Sequence, residues 1–226
     1  MELTELKKEV CEQNCRLAKE HLVIITEGNV SQITPDRKHF VIKPSGVEYS
    51  DLTPEKMVIV DLLGNVVGGG MRPSSDTPTH AEIYRHFPEI KGIAHTHSPF
   101  ATIFAQMKKS IPCYGTTHAD AFLGDVPVTR SLVEDEIFVD FELNTGKVIN
   151  EKLNPAEHRA ILVAGHGPFT FGESAKSAVD HATILEKVAM MALLGTYDKP
   201  LQDSLLKSRH FHRKHGKGGH KYYGQG

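Results

Sequence analysis

The chain has 226 residues, 39% hydrophobic and 24% charged, with a formal net charge of -2 at pH 7. This is a globular composition, long enough to bury a substantial core, and its near-zero charge makes no electrostatic case for a nucleic-acid partner. No apolar run approaches the roughly 20 residues that span a bilayer, and the acidic start Met1-Glu2-Leu3-Thr4-Glu5 is unlike a secretory leader, so the expected setting is cytoplasmic with no membrane partner.

Leu3, Leu6, Val10 and Leu17 form one helical stripe, predicting an amphipathic helix that ends near His21. Cys11 and Cys15 lie one turn apart on it, and with only three cysteines in the chain, free thiols in a reducing compartment fit better than a disulfide framework. Leu22-Val23-Ile24-Ile25 reads as a buried strand with Thr26 to Ser31 as its turn, and His39 to Lys43 as a second strand closed by Pro44-Ser45-Gly46. Met57 to Asp61 is a third strand, with Leu63-Gly64-Asn65-Val66 as a hairpin tip and Gly68-Gly69-Gly70 as a loop.

Thr77 followed by Pro78 starts a helix that runs to Phe87, and Ser98-Pro99 starts another to about Lys108. Between them, Gly92-Ile93-Ala94 leads as a strand into His95-Thr96-His97. Thr116 to Asp120 reads as a polar loop, Val126-Pro127-Val128 as a short strand and Asn144-Thr145-Gly146 as a hairpin turn. Ile161 to Val163 and Phe169 to Phe171 flank a turn at His166-Gly167-Pro168, after which Ser174 caps a long helix. Strands and helices alternate, with hairpins as well as crossovers, which predicts a three-layer α/β/α fold around a mixed, mostly antiparallel sheet. No repeat or linker is visible, so a single domain over 1–226 is expected, with 207–226 as a basic C-terminal flap.

The chemistry concentrates around His95 and His97. Residues two apart on a strand point to one face, so H-x-H at a strand end aims both imidazoles at one point. With Asp76 and His166 at the ends of other apolar runs, three histidines and a carboxylate make a donor set for a divalent metal, most simply zinc. On spacing alone this reading stays open, because histidine serves equally as a cap or a hydrogen-bonded core residue. Gly28-Asn29 and Ser45-Gly46 place glycine beside a small polar residue, a pattern that suits an anion cradle as well as an ordinary turn. Lys43, Ser74 and Ser75 would add charge and donors to such a cradle. The tail from Lys207 to Lys221 holds six Lys or Arg residues and no carboxylate, followed by Tyr222-Tyr223. It suits nonspecific polyanion binding, loose metal affinity, or closure over a phosphorylated substrate.

Several blocks together resemble the class II aldolase/epimerase family, and within it the branch that epimerises L-ribulose 5-phosphate at C4. They are Gly28-Asn29-Val30-Ser31, Ile42-Lys43-Pro44-Ser45-Gly46-Val47, Arg72-Pro73-Ser74-Ser75-Asp76-Thr77, His95-Thr96-His97-Ser98, Gly115-Thr116-Thr117-His118-Ala119-Asp120, His166-Gly167-Pro168-Phe169, and the tail Arg213-Lys214-His215-Gly216 to Tyr222-Tyr223-Gly224-Gln225. The resemblance implies Asp76, His95, His97 and His166 as ligands of Zn2+, with Mn2+ or Co2+ as alternatives. It implies Asn29, Lys43, Ser45, Gly46, Ser74, Ser75 and Thr116 as substrate- and phosphate-holding positions. It implies Asp120 and Tyr223 as an acid/base pair that reaches the metal from a neighbouring subunit, with His210 and Arg213 contacting phosphate across the same interface of a cyclic homotetramer.

The implied substrate is a pentulose 5-phosphate, and the implied chemistry is retro-aldol cleavage and re-addition at C3–C4, since the C4 hydrogen is not acidic. A zinc aldolase on the same fold is the alternative within the family, in whose aldolases Glu holds the place of Asp76; a metal-bound or basic-tailed binding protein is the alternative outside it. Two positions depart from the pattern: Glu27 stands where relatives carry Trp, and Ala121 replaces a larger aromatic.

Overall fold

The computed structural model describes residues 2–197, 199–201 and 204–215. The chain runs α1 (Leu3–Lys19), β1 (Asn29–Ile33), β2 (His39–Ile42), β3 (Val58–Asp61), β4 (Val66–Gly68), α2 (Thr77–His86), β5 (Gly92–His95), α3 (Pro99–Gln106), α4 (Thr116–Ala119), α5 (Glu134–Lys152), β6 (Ala160–Leu162), β7 (Pro168–Gly172), α6 (Ala175–Leu194) and α7 (Ser204–His215). The seven strands form one sheet in the order β4-β3-β2-β1-β5-β7-β6. Every pair of named strands is antiparallel, and the parallel component is the bridge Val128↔Leu162 alone among the described residues.

The layers follow from strand alternation. Phe40, Ile42, Val58, Val60, Ile93 and Phe171 point to one face, where Ala81, Ile83 and Tyr84 of α2 and Ile149 of α5 cover them. Val30, Val41 and Ala94 point to the other, where they meet Leu6, Val10 and Leu17 of α1 and Ala178, Val179 and Ala182 of α6. A third cluster joins Ala101, Phe104 and Ala105 of α3 to Leu185 and Val188 of α6 at the β6 edge. Helices on both faces of the sheet make the expected three layers. At the start of α6, the Ser174 side chain accepts the Ser177 N–H in a capping box.

Local predictions differ from the structure where tertiary pairing overrides pattern. Leu22 to Ile25 is a loop: Leu22 and Val23 are buried, but Ile24 and Ile25 are 66% and 73% exposed, and Ile25 has φ 52°. The strand starts later, at Asn29, because the pairing with β5 runs from Asn29↔His95 to Gln32↔Gly92. Thr116 to Ala119 forms one helical turn instead of a loop. Val126 and Val128 make only isolated bridges. Asn144-Thr145-Gly146 is no hairpin turn; it is buried inside α5. Gly146 serves close packing there, because a Cβ would stand 2.7 Å from Glu82 Cβ and 3.1 Å from the Thr79 carbonyl on α2. No helix among the described residues is long and apolar enough to cross a membrane.

Gly92 shows the same constraint between sheet and helix. A Cβ at this position would lie 2.1 Å from the Ser174 oxygen and 2.6 Å from the Ala175 nitrogen, both backbone atoms. Gly92→Ala should therefore push the α6 N-terminus off β5 and destabilise the fold by roughly 3 kcal/mol. Urea unfolding followed by circular dichroism measures this; a midpoint equal to that of the unmodified chain would contradict the packing.

Candidate metal centre

The site forms where β5 ends. The register Asn29↔His95 and His95↔Phe169 sets these three residues side by side across β1, β5 and β7. The His95 ring stacks on Phe169, with centroids 4.2 Å apart and planes 16° apart. His97 follows two residues later, just past the strand. His166 comes from the turn between β6 and β7, where Gly167 lets the backbone close in: a Cβ there would stand 2.8 Å from the Thr96 carbonyl and 3.2 Å from the His97 ring. The three rings meet edge to face, with centroids 4.7–5.2 Å apart.

One nitrogen of each ring lies within 4.8 Å of the others, so His95, His97 and His166 could hold a metal ion. The donor set fits that use. His95 Nδ1 faces the Pro168 carbonyl at 2.9 Å, which leaves Nε2 pointing at His97 Nε2, 3.1 Å away. His166 Nδ1 is buried with no hydrogen-bond partner among the described residues. Burial, and then the neighbouring imidazoles, hold His95 well below the usual histidine range, and burial lowers His166 as well. Neutral rings keep the lone pairs that a cation needs.

Asp76 stands immediately before α2 and faces the same groove. The Asn29 amide donates to Asp76 Oδ2 at 2.6 Å and to Ser74 Oγ at 3.1 Å, tying β1 to the loop that carries the carboxylate. That loop is zipped to the end of β2 by the Ser74 N–H to the Lys43 carbonyl and the Ser45 N–H to the Arg72 carbonyl, both 2.9 Å. The groove encloses about 380 Å³, within the range of small-molecule sites. Asn29, Lys43, Ser45, Gly46, Ser74, Ser75, Asp76, His95, His97 and His166 all line it.

Lys43 is 1% exposed. Its ammonium donates to the Thr26 carbonyl at 3.1 Å and the Pro44 carbonyl at 3.5 Å, and lies 4.9 Å from the Tyr49 ring centroid. Burial pushes it down to about 8, so it is still mostly charged at pH 7. A cation that meets, among the described residues, only carbonyls and a ring keeps charge available for an anion.

The other predicted site residues are elsewhere in this chain. Thr116 opens α4 and Asp120 follows its end, and neither lines the groove. Asp120 Oδ1 accepts from His210 Nδ1 and Arg213 Nη2 of α7, both at 2.8 Å. Asp120, His210 and Arg213 are thus brought to one another and not to the histidines. Of the flap, 207–215 lie in α7, where Phe211 is buried; Tyr223 lies outside the described residues. Six lining residues are outside the predicted site set: Thr26, Gly28, Pro44, Glu27, Phe141 and Glu142. The last two sit just past Asp140, a non-helical residue inside α5, and the turn expected at Asn144 concealed that helix.

Residues 8–193 match the family described as Class II Aldolase and Adducin N-terminal domain. The chain belongs to this family. Among solved structures it is similar to an L-fuculose 1-phosphate aldolase, with 26% identity, TM-score 0.76, and coverage of 90% of this chain and 93% of that one. An l-fuculose-1-phosphate aldolase from Thermus thermophilus matches at 26% identity and TM-score 0.68, over 85% of this chain and 95% of that one. YgbL from Klebsiella pneumoniae shares the fold at 23% identity and TM-score 0.75, over 92% and 99% of the two chains.

The buried imidazoles carry a pH signature. Burial pushes His80 down to about 3 and His118 down to about 4. These folded-state values lie below the unfolded value near 6.5, so the unfolded chain binds more protons in that window. Stability is therefore fully present above pH 6.5 and lost as the pH falls toward the folded values. Metal-free protein unfolded in urea should lose about 1.4 kcal/mol per pH unit for each such histidine below 6.5. His118→Gln should flatten the slope between pH 6.5 and 5, and a slope unchanged by that substitution would contradict the assignment.

Proposed function

We propose that this member of the class II aldolase family is a zinc-dependent L-ribulose-5-phosphate 4-epimerase (EC 5.1.3.4), interconverting L-ribulose 5-phosphate and D-xylulose 5-phosphate. The observation that carries the reading is one groove holding three convergent imidazoles, an aspartate at position 76, and a buried lysine beside two small-residue loops. In this reading 1–226 is one catalytic domain with a basic flap over 207–226, it works in the cytoplasm as a cyclic homotetramer, and it takes no nucleic acid. Asp76, His95, His97 and His166 hold Zn2+, or Mn2+ or Co2+ in its place. A bound divalent ion supplies a Lewis acid that stabilises negative charge developing on substrate oxygens.

Lys43 and the donors of Ser45, Gly46, Ser74 and Ser75 hold the phosphate and sugar, and the Asn29 amide, already bonded to Ser74 and Asp76, orients both. The C4 hydrogen is not acidic, so inversion requires breaking the C3–C4 bond. A base takes the C4 hydroxyl proton, the C3–C4 electron pair passes to the dihydroxyacetone enediolate, and glycolaldehyde phosphate is left with its phosphate clamped. The aldehyde turns, the C3–C4 bond re-forms on its other face, and an acid on that side returns a proton to the C4 oxygen. Asp120 and Tyr223 of a neighbouring subunit are the proposed pair. Asp120 lies outside this chain's own groove, in a cluster with His210 and Arg213, and Thr116 stands one helical turn before it. In this reading Asp120 acts on the groove of the adjoining subunit.

The similarity to two L-fuculose 1-phosphate aldolases favours a second reading, a zinc aldolase. Product analysis separates the two. Zinc-loaded protein given L-ribulose 5-phosphate should form D-xylulose 5-phosphate with little free glycolaldehyde phosphate, and Asp120→Asn and Tyr223→Phe should each lower kcat by about 10²–10⁴-fold. Accumulating aldehyde, or cleavage of L-fuculose 1-phosphate in its place, would overturn the epimerase reading in favour of the aldolase.

A further inference from the structure

We infer that Glu27 is a positioning residue for the metal centre: its carboxylate engages the Nδ1 edge of His97 and so aims Nε2 into the donor cluster. The inference rests on the metal reading above. A histidine ligand gives one nitrogen to the metal, and the proton on the other nitrogen needs an acceptor that fixes tautomer and ring orientation. His95 has that acceptor in the Pro168 carbonyl. For His97 the matching group is Glu27 Oε2, 3.4 Å from Nδ1. The opposite nitrogen of each ring then faces the other ring's, 3.1 Å apart. The Nδ1 edge of each ring thus meets an oxygen, a hydrogen-bonded carbonyl at His95 and a carboxylate within ion-pair distance at His97.

Glu27 is itself fixed, unlike a solvated surface acid. Its Oε1 accepts the Ile24 N–H at 3.0 Å, and its backbone carbonyl accepts the Tyr49 hydroxyl at 2.6 Å. One carboxylate oxygen thus anchors the side chain while the other meets the imidazole. Asp76 lines the same groove, so with Glu27 two carboxylates stand beside the three imidazoles. An ordinary exposed ion pair would contribute little to stability and would leave metal affinity unchanged. A carboxylate behind a ligand acts on affinity directly, by making the imidazole a stronger donor and pre-setting its orientation.

Zinc dissociation constants of the full chain and of Glu27→Gln, measured by competition with a chromophoric chelator, test this. Glu27→Gln should bind zinc about 10–100-fold more weakly, while the metal-free variant keeps the unfolding midpoint of the metal-free parent. Binding within twofold of the parent would overturn the role of Glu27 and leave the metal centre standing. Failure of the parent to bind zinc would overturn both. Should Glu27→Gln not fold, 15N NMR of the imidazoles in the unmodified, zinc-loaded chain decides: His97 bound through Nε2 with the proton on Nδ1 supports the inference, and His97 bound through Nδ1 overturns it.

Discussion

The site depends on one strand being paired on both sides. β5 lies between β1 and β7, and backbone hydrogen bonds on each edge fix its register to within a residue. That register alone places Asn29, His95 and Phe169 in a row. A slip of one residue would turn His95 to the opposite face and bring Ala94 in its place. The Phe169 ring then limits the tilt of His95, and Gly167 lets the His166 turn pack against both His95 and His97. Precision at His95 is therefore inherited from the sheet, and His97 and His166 are held against it by the adjoining turns.

The second constraint is the cost of burying polar groups. Below the metal centre, Ser31 Oγ contacts both His80 Nδ1 at 2.7 Å and the Tyr84 hydroxyl at 2.8 Å, so a polar cluster lies inside the apolar layer shared by α2 and the sheet. Burial keeps His80 neutral, and it lowers Lys43 without discharging it at pH 7. Each of these groups costs folding free energy that apolar packing must offset. A groove that gathers a buried ammonium, a carboxylate and three convergent imidazoles is an arrangement kept for binding, not for stability.

Much of this was legible in the sequence because it is local. The His95/His97 pair follows from strand periodicity, the α6 start from the Ser174 cap, and the groove members Lys43, Ser45, Ser74 and Asp76 from small-residue turns at the ends of apolar runs. The rest depends on contacts far apart in the chain. Leu22 to Ile25 has the composition of a strand but no strand to pair with, so two of its isoleucines face solvent. Asn144-Thr145-Gly146 has the composition of a turn, yet Gly146 is in α5 because α2 must approach it closely. That turn-like composition concealed Phe141 and Glu142, while Glu27 stood out as a departure without revealing its partner. The meeting of Asp120 with His210 and Arg213, 90 and 93 residues later, is likewise a product of the docking of α7.

The proposed chemistry stands on a metal held by three imidazoles and no thiolate, since Cys11, Cys15 and Cys113 are free and lie outside the histidine cluster. X-ray absorption spectroscopy on the zinc-loaded chain tests this most directly. Three imidazole donors at about 2.0–2.1 Å are predicted, with the remaining scattering from oxygen. A sulfur shell near roughly 2.3 Å, or fewer than three imidazoles, would contradict it.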